Sequence, residues 1–127
     1  MGLLGARLAS VSSGEVVIEL PFRADLVQQH GYLHAGVTTA IADSACGYAA
    51  LSVMDEDAAV LSVEYKVNLL APAQGVQFLA TGRVLRAGKT VVVVVGDVSA
   101  VQADGSRRSV LHMQGTMMAV RGRGISD

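Results

Sequence analysis

The sequence predicts an α+β fold in which one long central helix is wrapped by a curved, mainly antiparallel sheet of about five to six strands. Residues 35–54 form one apolar or small stretch with a single charge, Asp43, which indicates a helix buried on most sides. Four strand-like segments follow it and are joined by short turns, the pattern of antiparallel hairpins. The 127 residues are 51% apolar and 17% charged, so we expect a single domain, 1–127, with a core over about 15–121.

The elements follow one another in a clear order. Alternating residues predict strands at 7–12 and 15–20, and Pro21 ends the second. A short helical turn at 23–27 and the long helix at 34–54 come next, then strands at 59–70, 76–85, 90–101 and 107–121. Residues 86–89 form one predicted turn, and Asp104-Gly105 gives another. The five consecutive valines at 91–95 predict a strand buried on both faces.

Composition and charge exclude several classes of function. A net charge of −1 and an isoelectric point near 6.3 disfavour nucleic-acid binding. The single cysteine, Cys46, allows no disulfide within the chain and fits a reducing cytoplasm, and no secretory signal is apparent. We expect no membrane span, because residues 35–54 contain Asp43 and only two Leu or Ile residues. No spacing of His, Cys, Asp and Glu suits a metal site, and the apolar excess predicts a homo-oligomer.

Asp43 is the most informative residue, because carboxylates are rarely buried unless they are paired or functional. Helical spacing places Thr39, Cys46, Gly47 and Ala50 on its face, which leaves room for a ligand or a second helix. The alternative is that Asp43 caps a shorter helix that begins at residue 44. If the helix begins near residue 36, Asp43 lies about 10 Å from its first amides. Two antiparallel helices from two subunits would bring those two elements together in a shared site.

Two sequence blocks resemble the PaaI-like hotdog-fold acyl-CoA thioesterases. The first is residues 28–48, QQHGYLHAGVTTAIADSACGY, and the second is residues 61–73, LSVEYKVNLLAPA. A third block, RAGKT at 86–90, resembles the next hairpin of the family, and the resemblance spans about residues 15–121. Gln28 stands where the family commonly has Asn, and Ala35 stands at the first Gly of the family's His-Gly-Gly. Ala35 keeps a backbone N–H, but positive φ is energetically unfavourable for alanine, so we expect a changed loop there.

The resemblance implies hydrolysis of acyl-CoA thioesters and, together with the apolar excess, a homo-oligomer that is a dimer of dimers. Asp43 falls on the catalytic carboxylate, which acts as general base or nucleophile on a substrate bound by the other subunit. The amides of Ala35 and Gly36 would stabilise the oxyanion, and Ser62 would orient water. Gln28 would bond Asp43 or the acyl group. His34 either takes part in the reaction or orients the loop. The residues expected to contact coenzyme A are Arg86, Lys89 and Thr90.

Three other functions compete with this interpretation. A hotdog module that binds acyl-CoA without turnover is the main alternative, although such a sensor need not keep a buried acid. A hydratase would need an Asp–His pair that the sequence lacks, and a purely structural oligomer is not excluded by the fold. No cofactor is expected beyond the coenzyme A of the substrate, and the acyl group is not specified by the sequence.

Overall fold

One helix, α1 (Ala35–Leu51), lies across a single six-stranded antiparallel sheet, and the predicted α+β fold is confirmed. The computed structural model describes residues 4–28 and 31–121. A short 3₁₀ turn, Ala24–Leu26, precedes the helix. The strands are β1 (Arg7–Ser12), β2 (Glu15–Pro21), β3 (Ala59–Leu69), β4 (Gln77–Ala87), β5 (Val91–Val101) and β6 (Arg107–Val120). Their order across the sheet is β1-β2-β4-β5-β6-β3, so the strand that follows the helix lies at an edge.

The sheet is bent by irregularities in four of its five strand pairs. The register shifts between Leu8 and Ser10, between Ser62 and Glu64, between Val84 and Arg86, and between Val98 and Ser99. Such bulges bend a strand and increase its twist. The bent sheet therefore wraps the helix, as predicted.

The buried side of α1 packs on the centre of the sheet through small residues. Gly82 on β4 and Gly96 on β5 are neighbours across the ladder. A Cβ at Gly82 would overlap the helix backbone at Ala45 and Cys46, and one at Gly96 would come within 2.8 Å of the Cys46 Sγ. The absence of these two side chains lets the helix lie close to the sheet. The buried helix residues are Thr38, Ile41, Ala42, Ala45, Cys46, Ala49 and Ala50.

The structure corrects several details of the sequence prediction. The helix ends at Leu51 rather than at 54, since the next amides make tight turns: Val53 N–H donates to the Ala50 carbonyl. Helix α1 continues through residue 43, so the proposed shorter helix capped by Asp43 is wrong. Strand β4 extends to Ala87, two residues into the predicted turn at 86–89. Val91 is 48% exposed, and α1, the one α-helix among the described residues, packs on the other face of the sheet, so the prediction that the valine run is buried on both faces is wrong at Val91.

Candidate active site

Asp43 lies on the side of α1 that the sheet leaves open. It is half-buried, and Thr39, Ala40 and Gly47 share this open side of the helix. Of the predicted neighbours, Cys46 is fully buried against the sheet, as is residue 50. The open side is therefore narrower than helical spacing alone predicted, and its residues are small on both sides of the carboxylate.

Ser62 is the one side chain with a hydrogen bond to Asp43 in the described residues. Its hydroxyl lies 2.7 Å from the Asp43 Oδ1 and 3.2 Å from the Met117 Sδ. A hydroxyl can donate one proton, and the carboxylate is the much stronger acceptor. The edge strand β3 thus holds the Asp43 carboxylate in one orientation and leaves its second oxygen available.

The N-terminus of α1 is capped by a histidine side chain. The Gly36 N–H donates to His34 Nδ1 at 2.8 Å, and a Cβ at Gly36 would lie only 3.0 Å from that nitrogen. Val37 N–H and Thr38 N–H both donate to the His34 carbonyl. Ala35 N–H has no such acceptor in the described part of the chain. Of the two amides predicted to stabilise the oxyanion, the Ala35 N–H is therefore available, whereas the Gly36 N–H already donates to the His34 side chain.

Ala35 does not adopt positive φ in this loop. No non-glycine residue in the described ranges has positive φ, and Ala35 is the first residue of regular helix. Gly36 also has no positive φ, so its glycine is explained by the close approach of His34 instead. An alanine at the first helical position therefore introduces no backbone strain.

Three open clefts surround these residues. The loop cleft, about 580 Å³, is lined by polar and apolar residues that include Gln28, Tyr32, His34 and Ala35. The N-terminal cleft, about 600 Å³, is lined by Ala35, Gly36, Thr39, Ala40, Asp43, Tyr65, Val67 and Leu69. The C-terminal cleft, about 470 Å³, is lined by Asp43, Ser44, Gly47, Tyr48, Leu51, Val60 and Ser62. Asp43 lies where the last two clefts meet.

One chain does not bring every predicted site residue together. Gln28, His34 and Ala35 line the loop cleft, and Asp43 bonds Ser62 farther along the helix. Asp43 is seven residues past Gly36, about 10 Å along the axis at 1.5 Å per residue. Within a single chain, therefore, the Ala35 N–H and Asp43 cannot both act on the same carbonyl group.

The predicted contacts to coenzyme A lie at the other end of the molecule. Arg86, Lys89 and Thr90 are exposed on the β4–β5 hairpin. This end of the sheet adjoins the C-terminus of α1, since Val84 N–H donates to the Gly14 carbonyl and Gly14 N–H to the Ser52 Oγ. Within one chain the hairpin does not meet Asp43.

Arg121 ties this hairpin to the rest of the fold. Its Nη2 donates to the Lys89 carbonyl at 2.9 Å, and its Nε pairs with Asp55 Oδ2 at 3.0 Å. The Ala119 N–H donates to the Thr90 carbonyl. Arg121 therefore holds the backbone of the hairpin in place.

Apart from Ser62, sequence reasoning missed the residues of β3 that line the clefts. Val60 and Ser62 face α1, and beyond the bulge Tyr65, Val67 and Leu69 do so. Alternation along a strand would place Ser62 and Tyr65 on opposite faces. The extra residue at the bulge changes that alternation, and nothing in the local sequence locates it.

Burial suppresses the chemistry of the one thiol. Burial, and next the negative charges of Asp43 and Asp97, raise the pKa of Cys46 to about 12. The thiolate is therefore scarce at neutral pH, and Cys46 acts as a small apolar residue. Across the described residues, no group of three His, Cys, Asp or Glu side chains could hold a metal ion. None of the described helices has the length and apolarity needed to cross a membrane.

Comparisons with known proteins agree with this architecture. The sequence profile of the thioesterase superfamily matches residues 30–104. A thioesterase family protein from Silicibacter pomeroyi has a crystal structure with a TM-score of 0.94 and 45% identity, over 96% of this chain and 89% of that chain. The 1,4-dihydroxy-2-naphthoyl-CoA hydrolase of Listeria monocytogenes is 32% identical over 96 residues, which are 73% of this chain and 78% of that protein.

A further match shows likeness of fold. The PaaI protein of Escherichia coli, from the phenylacetic acid degradation operon, has a TM-score of 0.82 at 23% identity, over 95% of this chain and 83% of that chain. The profile match over residues 30–104 and the 45% identical thioesterase family protein confirm the family resemblance drawn from the sequence. This chain belongs to the thioesterase superfamily, with the hotdog fold.

Proposed function

We propose that this chain hydrolyses acyl-CoA thioesters to a free acid and coenzyme A, at sites shared between two copies of the chain. The observation that carries the proposal is the half-buried Asp43, oriented by Ser62 and lying where two clefts meet. A packing role does not require a carboxylate on the open side of an otherwise small-residue helix. The similarity to a naphthoyl-CoA hydrolase supports a CoA thioester as substrate.

In the proposed reaction Asp43 acts as a general base. It takes a proton from a water molecule while the water oxygen attacks the thioester carbonyl carbon. The carbonyl oxygen becomes an oxyanion, and the Ala35 N–H at the start of α1 donates to it, helped by the positive end of the helix dipole. The tetrahedral intermediate then expels the thiolate of coenzyme A, which takes up the proton that Asp43 accepted from water, so that the carboxylate is restored.

A second route uses the same residue as a nucleophile. Asp43 would attack the carbonyl carbon, expel the thiolate and form a mixed anhydride that water then hydrolyses. The two routes differ in where ¹⁸O from labelled water appears after a single turnover. General-base attack labels the product acid only, whereas hydrolysis of an anhydride at the Asp43 carbon labels Asp43.

Two copies of the chain are needed to complete the site. The Ala35 amide and Asp43 are too far apart within one chain, and the edge strand β3 beside Asp43 is exposed. It carries large apolar side chains, including Leu61 at 50%, Val63 at 58% and Leu69 at 61% exposure. A long apolar edge strand is a template for pairing with another chain. Pairing of two β3 strands would place the N-terminus of one α1 near the Asp43 of the other.

The other nominated residues have roles in this proposal. Gln28 lines the loop cleft beside Ala35 and would bond the acyl group or the partner's Asp43. His34 holds the helix N-terminus. Arg86, Lys89 and Thr90 would contact the phosphates of coenzyme A bound mainly by the partner, with Arg121 fixing the hairpin. The apolar surface left after dimer formation would bring two dimers together, and no cofactor is needed.

The test is thiol release from a panel of acyl-CoA thioesters by wild type and by Asp43→Asn. We expect turnover in wild type and a loss of about 10²–10⁴-fold in kcat/KM in the variant. Equal melting temperatures would show that the fold is intact. Turnover within a few-fold of wild type would remove Asp43 from the reaction. No turnover in either protein, with coenzyme A still raising the melting temperature, would identify a binding module instead.

A further inference from the structure

Gly47 lies in the middle of α1, and packing among the residues that the structure describes does not explain it. A Cβ built on Gly47 meets no heavy atom within 4 Å, whereas a Cβ at Gly82 or Gly96 would strike the helix. Glycine in a helix interior is less stable than alanine, because it loses more conformational freedom on folding. The chain therefore carries a locally unfavourable residue at a position where its own fold leaves room for a side chain.

The empty position opens into the C-terminal cleft. Gly47 is one helical turn from Asp43 on the same side of the helix, about 6 Å along the axis. The walls of the cleft beside it are Tyr48, Leu51 and Val60. These walls are apolar, the polar part of the lining is Ser44, Ser62 and the carboxylate itself, and the absent side chain leaves open space one helical turn from Asp43.

The open space lies close to Asp43, so it bears on the shape of the acyl group that could bind there. A thioester carbonyl carries two substituents, an acyl group and a thiol arm, and Asp43 lies between two clefts. A linear acyl chain is equally narrow along its whole length. A ring is broad from the first carbon beyond the carbonyl, so it needs width near the reacting atoms, which is where the side chain of residue 47 is absent.

We propose that Gly47 is a specificity-determining residue that keeps the C-terminal cleft wide for an acyl group that is broad next to the carbonyl, of which benzoyl is the simplest example. The inference rests on the proposed thioester hydrolysis and assigns the thiol arm to the N-terminal cleft. Leu51 and Val60 supply apolar walls for a ring, and Tyr48 supplies an aromatic face.

The test compares benzoyl-CoA, hexanoyl-CoA and acetyl-CoA as substrates of wild type, Gly47→Ala and Gly47→Leu. Benzoyl and hexanoyl groups have similar numbers of carbons but differ in width. We expect Gly47→Ala to raise the melting temperature by a few degrees. Its kcat/KM for benzoyl-CoA should fall about 10-fold or more, with acetyl-CoA and hexanoyl-CoA little changed. Gly47→Leu should enlarge the difference.

Ala40→Leu is the matched comparison. Ala40 and Gly47 flank Asp43 on the same side of the helix, and Ala40 lines the N-terminal cleft. Because the thiol arm is common to all three substrates, Ala40→Leu should lower their kcat/KM values by similar factors. A benzoyl-selective loss in Ala40→Leu but not in the Gly47 variants would overturn the assignment of the clefts.

Three further outcomes would contradict the proposal. Parallel losses for all three substrates in Gly47→Ala, or no loss for any, would remove Gly47 from specificity. Dissociation of the oligomer in Gly47→Ala, seen by size-exclusion chromatography, would show that Gly47 packs against a second copy. If wild type has no turnover, the proposed function fails separately, and calorimetric binding of the same thioesters still decides the role of Gly47. Benzoyl-selective weakening would then support it, and uniform or absent weakening would overturn it.

Discussion

The two sides of helix α1 are built from similar small residues but obey different constraints. On the buried side, Cys46 and its neighbours fit against Gly82 and Gly96, and each absent side chain is explained by a specific contact. On the open side, Asp43 and Gly47 have space around them that the chain does not fill. The contrast teaches that small residues allow close packing on one side of the helix and leave open space on the other.

The largest expected effect on stability comes from filling a buried-side glycine. Gly82→Ala would place a Cβ against the helix backbone at Ala45 and Cys46, which cannot give way without moving α1 from the sheet. Overpacking of this kind should cost about 3 kcal/mol or more. Urea unfolding measures the loss, with Gly47→Ala as the open-side control of opposite sign. A Gly82→Ala protein as stable as wild type would refute the packing argument.

On the open side, Ser62→Ala should reduce activity without a comparable loss of stability. The variant removes the hydroxyl that bonds the Asp43 carboxylate at 2.7 Å. A hydrogen bond to a charged group contributes about 1.5–3 kcal/mol, so kcat/KM should fall about 10- to 100-fold. Ser62→Thr keeps the hydroxyl and should recover most of the rate. Equal rates for the alanine and threonine variants would show that the hydrogen bond is not used.

Burial of Cys46 on this side of the helix also predicts that the stability of the fold depends on pH. The pKa of Cys46 is raised to about 12 in the folded chain, against 9.0 for an ordinary thiol. The folded state therefore keeps its proton where the unfolded state loses it, and stability falls as pH rises from about 9 towards 12. The slope due to this group is at most about 1.4 kcal/mol per pH unit.

Urea unfolding of wild type and Cys46→Ala at several pH values isolates this contribution. The difference in stability between the two proteins should be constant below about pH 8. Above pH 9 wild type should lose stability faster than the variant. A constant difference up to pH 11 would mean that Cys46 is not sequestered.

The smallest effect concerns the cap at the start of the helix. His34→Ala removes the acceptor of the Gly36 N–H and should cost about 1 kcal/mol. Asparagine is a favoured N-cap, so His34→Asn should restore stability and, if His34 only caps the helix, activity as well. Restored stability with lost turnover would instead give the imidazole a direct part in the reaction.

Much of the fold was predictable because its signals are local. The apolar stretch around Asp43, the turn residues and the alternating strands gave the helix and all six strands, with errors confined to their ends. Exposure of Val91 was not predictable, because five consecutive valines show no alternation that would distinguish a covered face of the sheet from an open one.

The site was predictable only in part. Resemblance and burial of charge identified Asp43, and the structure places Ser62 beside it. The bulge that brings Tyr65 to the same face is a long-range property of the β3–β6 pair. The capture of the Gly36 amide by His34 depends on a side-chain rotamer. Neither could be read from spacing along the chain.

The central claim is that one site needs the Asp43 of one chain and the Ala35 amide of another. Ala35→Pro removes that single N–H, and proline is tolerated at the first helical position. His34 already has the extended backbone that a following proline requires, with φ −61° and ψ 136°.

The decisive measurement mixes inactive Ala35→Pro and Asp43→Asn proteins after unfolding and refolding them together. Half of the dimers should contain one chain of each kind, and each of these should hold one intact site, so about a quarter of wild-type activity should return. Recovery at that level would establish the shared site. No recovery, with mixed dimers shown to be present by mass spectrometry, would contradict it.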